Sequence, residues 1–285
     1  MAQEVTLTAA MRANLISLQN TEVLLNRTQE RLATGKKVNS ALDNPLNFFA
    51  AAAHMQRASD LSERKDGMGE AIQTIKAANN GIEGIKALLA NAKGLVEAAR
   101  TSTDTSVQEK QFEEVMAQIS QLVQDSGYKG TNFLNGTGVS LDVLFNETGT
   151  NKLTLTGFDG NATALVATTF TATYTAVAIT DVIGTNVTFG ASGSNLNYVA
   201  AAITSAMSKL QSEASKLSSN LAIINARLDF TNQMVNTLKE GADKLTLADT
   251  NEEGANMLAL QTRQQLGVTS LSLASQAAQS VLRLF

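Results

Sequence analysis

Few side chains in this sequence could carry chemistry, and those few lack company. His54 is the single histidine in 285 residues and there is no cysteine. Thiol catalysis, thiolate metal sites and disulfides are therefore excluded, and imidazole chemistry rests on one ring. A general base or nucleophile needs an oriented partner within reach. His54 is followed by Met55 inside an expected helix, so it reads as a helix surface or packing residue. Glu113 and Glu114 read as a solvated helix face rather than an acid–base pair. Asn146, Asn161 and Asn186 each open an Asn-x-Thr pattern, which is short enough to arise by chance in an Asn/Thr-rich segment, and exposed loop residues are expected there. The glycines follow no nucleotide-binding order. An enzyme is not expected, no metal or catalytic residue is assigned, and no cofactor is implied.

The elements that position these residues are long helices. The composition is 44% hydrophobic with 5% aromatics, one proline and no tryptophan, which suits extended Ala/Leu/Gln helices better than a compact enzyme. A net charge of −4 and a pI near 5.2, with no Lys/Arg run, give no footprint for nucleic acid. The opening "MAQEVTLTAAMRANLIS" has no apolar core of a secretory signal, and no stretch reaches a membrane span of roughly 18 apolar residues. Export without a cleaved signal, or a cytosolic location, is the expectation, with no membrane insertion.

Two apolar seams step by three and four residues, the spacing that keeps one helical stripe facing a partner. One runs Ile203, Met207, Leu210, Ala214, Leu217, Leu221, Ile224, Leu228, then Thr231, and on through Val235, Leu238, Ala242 and Leu245. The other runs from Met68 through Ala71, Ile75, Ala78, Ile82, Ile85, Leu89, Ala92 and Val96 to Ala99. They are expected to pair. Upstream, Asn44 stands at an N-cap and Pro45 at the first helical position, where its missing N–H is harmless. A long helix is expected from Pro45, weakened at Gly67 and Gly69. The polar "TSTDTS" ends it, and Ser106 with Glu109 has the spacing of a capping box for another helix, whose apolar face is Phe112, Met116, Ile119 and Val123. From about residue 136 to 197 charges thin out and Thr, Gly and Asn dominate. There "KLTLTGF" and "FTATYTAVAIT" alternate at period two, while "DGN" and "IGTN" supply turns, so a small β-rich insertion is expected.

The ends differ again. Met11, Leu18, Leu25 and Leu32 recur at intervals of seven with Leu15 beside them, but the companion positions Asn14, Thr21 and Thr28 are polar. Toward the other end, Val268, Leu271, Ala278, Leu282 and Phe285 share a face, and beyond Ala255 the charges are Arg263 and Arg283 alone. Such under-charged helices suit an environment where protein surrounds them. Burying Val281, Leu282, Leu284 and Phe285 is worth at most roughly 6–12 kcal/mol, against an estimated ~4–15 kcal/mol for association. One contact would be marginal, whereas several neighbours at once would hold firmly. Met11, Leu15, Leu18, Leu25, Leu32, Val268, Leu271, Ala278, Val281, Leu282, Leu284 and Phe285 are therefore the candidate assembly interface of a self-polymerising subunit.

With those residues in view, the chain resembles bacterial flagellin. "RLATGKKVNSALDNPLNFFAAAA" (31–53) is similar to the family's N-terminal signature, "NMLALQTRQQLGVTSLSLASQAAQSVLRLF" to its C-terminal one, and "GTNFLNG" to the loop leaving the core. The Thr-rich middle carries no resemblance, as in the family's variable region. The resemblance implies a homopolymeric filament for swimming, extracellular in the flagellum. It implies type III export without signal cleavage, terminal segments that fold into paired inner-tube helices on assembly, an export chaperone at the C-terminal segment, and hook-associated and cap proteins as partners. Where most members have a charged or small residue after "NSA.D", this chain has "NPLNFF", so the contacts of Phe48 and Phe49 are expected to be particular to its own lineage. Asn91 stands where an arginine contacting the innate-immune receptor is usual, so recognition by that receptor is not expected. The Thr hydroxyls of the middle could bear O-linked sugars.

The expected architecture is mainly α, a long coiled-coil bundle built from both chain ends with a small β-rich central insertion. Residues 1–40 are expected to pair with 250–285 in the filament's inner core, 41–135 and 198–249 to form the helical core domain, and 136–197 to face outward. A hook–filament junction protein is the related alternative, disfavoured by the faithful C-terminal segment. A secreted membrane-inserting translocator is the alternative of another class, but it would want a long apolar hairpin or Lys-rich helical faces.

Overall fold

The structure, a computed structural model, describes residues 9–162, 165, 189 and 193–282. Its elements are α1 (Ala9–Thr34), α2 (Pro45–Thr101), α3 (Ser106–Asp125), β1 (Ser140–Leu144), β2 (Lys152–Thr156), α4 (Gly193–Thr246) and α5 (Thr250–Leu282). The chain is mainly helical with a small two-stranded sheet in its middle. It divides into two compact units, Ser59–Val235 and the combined termini Met1–Ala58 with Asn236–Phe285.

In the unit Ser59–Val235, the seam from Met68 to Ala99 is buried at every position, and Ile203, Leu210, Leu217 and Ile224 of α4 belong to the same core. Lys86 Nζ donates to Gln211 and Lys93 Nζ to Thr204. Facing residue numbers add to 297 in both pairs, so these stretches run antiparallel. Thr231, the polar break in the seam, is 2% exposed. Its hydroxyl donates to the Arg227 carbonyl at 2.8 Å, leaving its methyl for packing. Phe112, Met116, Ile119 and Val123 turn the buried face of α3 into this core. The absent side chains of Gly81 and Gly84 let α3 come close: a Cβ on the first would collide with Ser126, and one on the second would lie 2.8 Å from Leu122.

The expected capping box at Ser106 and Glu109 does not form. Ser106 is already the first helical residue, and Thr105 precedes it without a side-chain cap. Asp104 Oδ1 instead accepts the Ser106 N–H at 3.0 Å, a bond that is the main cause holding its carboxyl below the ordinary value. The Glu109 carboxylate, spoken for elsewhere, accepts the Thr105 hydroxyl and the Phe189 N–H. An acceptor two residues upstream of Ser106 thus displaced the side chain that pattern alone put there.

Past α3 the chain reverses tightly. Tyr128 and Thr131 exchange two backbone bonds of 2.9 Å, with Lys129 at φ 47 and Gly130 at φ 82, the mirror-image turn that matches strand twist. Asn132 Nδ2 then donates to the Val123 and Gln124 carbonyls at the end of α3 while its Oδ1 accepts the Leu134 N–H. This delivers Phe133 and Leu134 into the core, 1% and 0% exposed. β1 pairs antiparallel with β2 in the register Ser140↔Thr156 to Leu144↔Lys152. β2 lies in "KLTLTGF"; β1 was not anticipated. "DGN" does turn, through Asn161 N–H to Asp159 Oδ1. "FTATYTAVAIT", "IGTN" and Asn186 lie outside the described residues.

In the unit formed by the termini, Asn44 Oδ1 accepts the Asn47 N–H at 3.1 Å and α2 begins at Pro45. Gly35, at φ 69, ends α1 in the left-handed conformation. The connector after it zips onto the turn between α4 and α5: Lys37 and Val38 N–H donate to the Thr246 carbonyl, and Ala248 N–H to that of Gly35. Val38 is buried there. His54 is half-buried near Gly241.

Candidate functional site

The terminal unit positions α1 along α5. Asn14 Nδ2 donates to Ser270 Oγ at 3.3 Å, Arg31 Nη1 meets Glu253 Oε1 at 2.7 Å, and Leu18 lies against Gly267. Facing residue numbers add to 284 or 285, so the two helices are antiparallel in one register. Gly267 is what allows the approach, since a Cβ there would come 2.6 Å from Leu18 Cδ1. The register sets Leu25 opposite Leu260, both 9% exposed.

Two local devices anchor this pair at its connector end. Asp249 Oδ1 accepts the Asn251 and Glu252 N–H groups, capping α5. Asp43 Oδ2 accepts the Asn39 and Ser40 N–H groups at 3.1 and 3.0 Å. Those bonds, Ser40 first, hold the Asp43 carboxyl below its ordinary value of 3.8. A carboxyl depressed by folding contributes stability above its unfolded value and loses it as pH falls through the folded one. Acidification from pH 5 to below 3 is therefore expected to lower the protection of the Asn39 and Ser40 amides, their exchange being taken relative to the intrinsic rate at each pH. Asp43→Asn should show the low protection already at pH 5; equal protection in both chains across that range would refute the assignment.

The structure divides the residues singled out from sequence. Met11, Leu18, Leu25 and Leu32 lie buried or half-buried along the α5-facing side of α1, together with the polar Thr21 and Thr28, 3% and 6% exposed. Leu271 is half-buried on the corresponding side of α5. Leu15 and Val268 are exposed instead. The side chains of Ala278, Val281 and Leu282 lie outside the described set, as do Leu284 and Phe285 altogether.

Another set was missed. Leu258, Leu266 and Leu273 are 67%, 66% and 61% exposed. At about 100° per residue they fall on the side of α5 opposite Gly267 and Leu260. Thr262 and Thr269 lie between them and turn their hydroxyls onto the carbonyls of Leu258 and Gln265 at 2.9 Å, so the stripe presents methyl groups. On α1, Ile16 and Val23 are likewise exposed on the side away from α5. Their spacings of seven and eight are visible in the sequence. What hid them is that α5 is apolar on more than one face, and periodicity does not say which face its partner takes. Among the described residues no group of three or more acidic, His or Cys side chains could hold a metal, and no helix is long and apolar enough to cross a membrane.

Residues 5–139 match the family described as the bacterial flagellin N-terminal helical region, and residues 200–285 match the bacterial flagellin C-terminal helical region. The chain is 30% identical over 293 residues to a flagellin of Brucella melitensis, covering 100% of this chain and 99% of that one. It is 30% identical over 287 residues to flagellin FljM of Caulobacter vibrioides, covering 95% of each. A Bacillus cereus flagellin crystal structure aligns with 58% of this chain and 88% of its own at 14% identity and a TM-score of 0.45.

Proposed function

The chain belongs to the bacterial flagellin family, and from that premise we propose that the outward faces of α1 and α5 are the surfaces by which each copy meets its neighbours. The protein itself is a structural subunit that polymerises into the flagellar filament, and it is not an enzyme. The observation that carries the proposal is the exposed stripe Leu258, Leu266 and Leu273 on a helix whose one charge between Gly254 and Leu282 is Arg263. Apolar surface of this extent finds its natural place in contact with protein.

The candidate interface of Met11, Leu15, Leu18, Leu25, Leu32, Val268, Leu271, Ala278, Val281, Leu282, Leu284 and Phe285 then has two jobs. Residues between the helices hold the pair together, and Leu15 and Val268, with the outer stripe, meet other copies. Thr21, Thr28 and Gly267 make the seam between the helices thin in apolar contact. Such a pair gains most of its stability when neighbours bury its outer faces, which couples folding of the termini to assembly. The family resemblance supports export without signal cleavage, a chaperone on the C-terminal segment, and hook-associated and cap proteins as further partners. By the same reading, 1–40 with 250–285 form an inner layer, 41–135 with 198–249 the helical core, and 136–197 the outer part.

Leu266→Lys tests the proposal. Losing the burial of one leucine, about 1.5 kcal/mol or more, is expected to slow elongation of filament seeds at least ~10-fold without altering the circular dichroism of the monomer. Elongation at the rate of the unmodified chain would show that this face meets no neighbour.

A further inference from the structure

The unit Ser59–Val235 carries a cleft that the proposed terminal contacts leave unused. It measures about 260 Å³ and lies between α2, the Tyr128–Thr131 turn and β1. Its floor is apolar, from Ala71, Leu141, Val143 and Leu144, and charged groups ring it. Most of those charges are matched: Lys129 pairs with Glu70 at 2.8 Å and Lys152 with Asp142 at 2.6 Å. Arg64 is not. Its Nη2 lies 3.9 Å from Glu63, and its Nε is buried without a hydrogen-bond partner. A guanidinium N–H shut away from water without an acceptor is unfavourable unless something supplies one. The site therefore asks for an apolar side chain with a carboxylate beside it.

The same unit offers that combination elsewhere on its surface. Phe230 on α4 is 53% exposed. Asp229 next to it is exposed and has no ion-pair partner among the described residues. The register between α2 and α4, with facing numbers adding to 297, sets Phe230 at the level of Gly67, which lines the cleft. No α4 residue lines the cleft itself. The hairpin reaches α4 separately, where Arg227 sits 5.3 Å from the Phe145 ring.

The geometry points to a contact between copies in which Asp229 and Phe230 of one subunit enter the Arg64 cleft of the next. Phe230 would cover the apolar floor and the Asp229 carboxylate would accept from Arg64 Nε. Knob and hole are different patches of one chain, so the contact is heterologous, the kind that propagates as an open helix when its rotation does not close. Because the two patches share a level, it joins copies side by side. The inference rests on the filament function and adds a contact outside the terminal helices.

Full-length chains would be followed by seeded elongation. Arg64→Glu and Asp229→Arg are each expected to slow elongation about tenfold, and the double variant, whose charges face each other again across the contact, is expected to recover to within about threefold. The chain has no cysteine, so an equimolar mixture of Leu144→Cys and Phe230→Cys chains should form mixed disulfides in filaments and none as monomers. Single variants that elongate normally, a double variant that does not recover, or filaments without the mixed disulfide would each overturn the contact while leaving the filament function standing. An unmodified chain that failed to elongate seeds would overturn both.

Discussion

Gly157→Ala is expected to destabilise the unit Ser59–Val235 by about 3 kcal/mol. A Cβ at this position would lie 2.9 Å from the carbonyl oxygens of both Gly136 and Phe133 and 3.2 Å from Phe133 Cα. All three are backbone atoms, so no side chain can swing aside. Relief requires β2 to move off the 133–139 segment, which is held by Gly157 N–H to the Val139 carbonyl at 2.8 Å and Phe158 N–H to the Phe133 carbonyl at 2.7 Å. Breaking those bonds would also unseat Phe133, Leu134 and Phe158, all buried in the core. Urea denaturation checks this, with Gly138→Ala as the control, because a Cβ there meets nothing within 4 Å. The control should stay within about 0.5 kcal/mol of the unmodified chain. An equal midpoint for Gly157→Ala would mean the strand and loop are not in close contact.

Glu253→Ala is expected to weaken the terminal helix pair by about 2–4 kcal/mol. The Arg31 and Glu253 side chains are 24% and 9% exposed and meet at 2.7 Å. Removing the carboxylate leaves a guanidinium half-enclosed without its partner, a larger penalty than the pair's net contribution. The position adds a second effect, because Glu253 lies in the first turn of α5, where the helix dipole favours negative charge. Hydrogen exchange along α1 and α5 should accelerate while the core of the other unit is unaffected. Replacing both partners by leucine should recover most of the loss, since no orphan charge then remains. If the double variant exchanges as fast as Glu253→Ala, the pair acts through something other than its buried charges.

Much of the fold was legible because its signals are local or periodic. The seam from Met68 to Ala99 could be read residue by residue, since burial on one face of a long helix imposes a repeat of three and four whatever the partner. Asn44 and Pro45 marked the start of α2 through chemistry confined to three residues. β1 was missed because "SLDVL" is too short for its alternation to stand out, and it exists as a strand only through its pairing with "KLTLT". Ser106 was misplaced as a cap because Asp104 and Thr105 compete for the same few groups, a choice settled by geometry rather than pattern.

The terminal helices mark where sequence reading ends. By itself the sequence determined that both are long and apolar on more than one side, and that α5 beyond Gly254 is nearly uncharged, because composition and spacing are properties of each helix alone. The tertiary structure decided which side is which. It set Thr21, Thr28 and Gly267 in the seam, left Leu258, Leu266 and Leu273 outside it, and joined Arg31 to Glu253 across 222 residues of chain. An α-helix with two apolar stripes can offer either one, and only the register fixed by the approach at Gly267 and the zipped connectors selects between them.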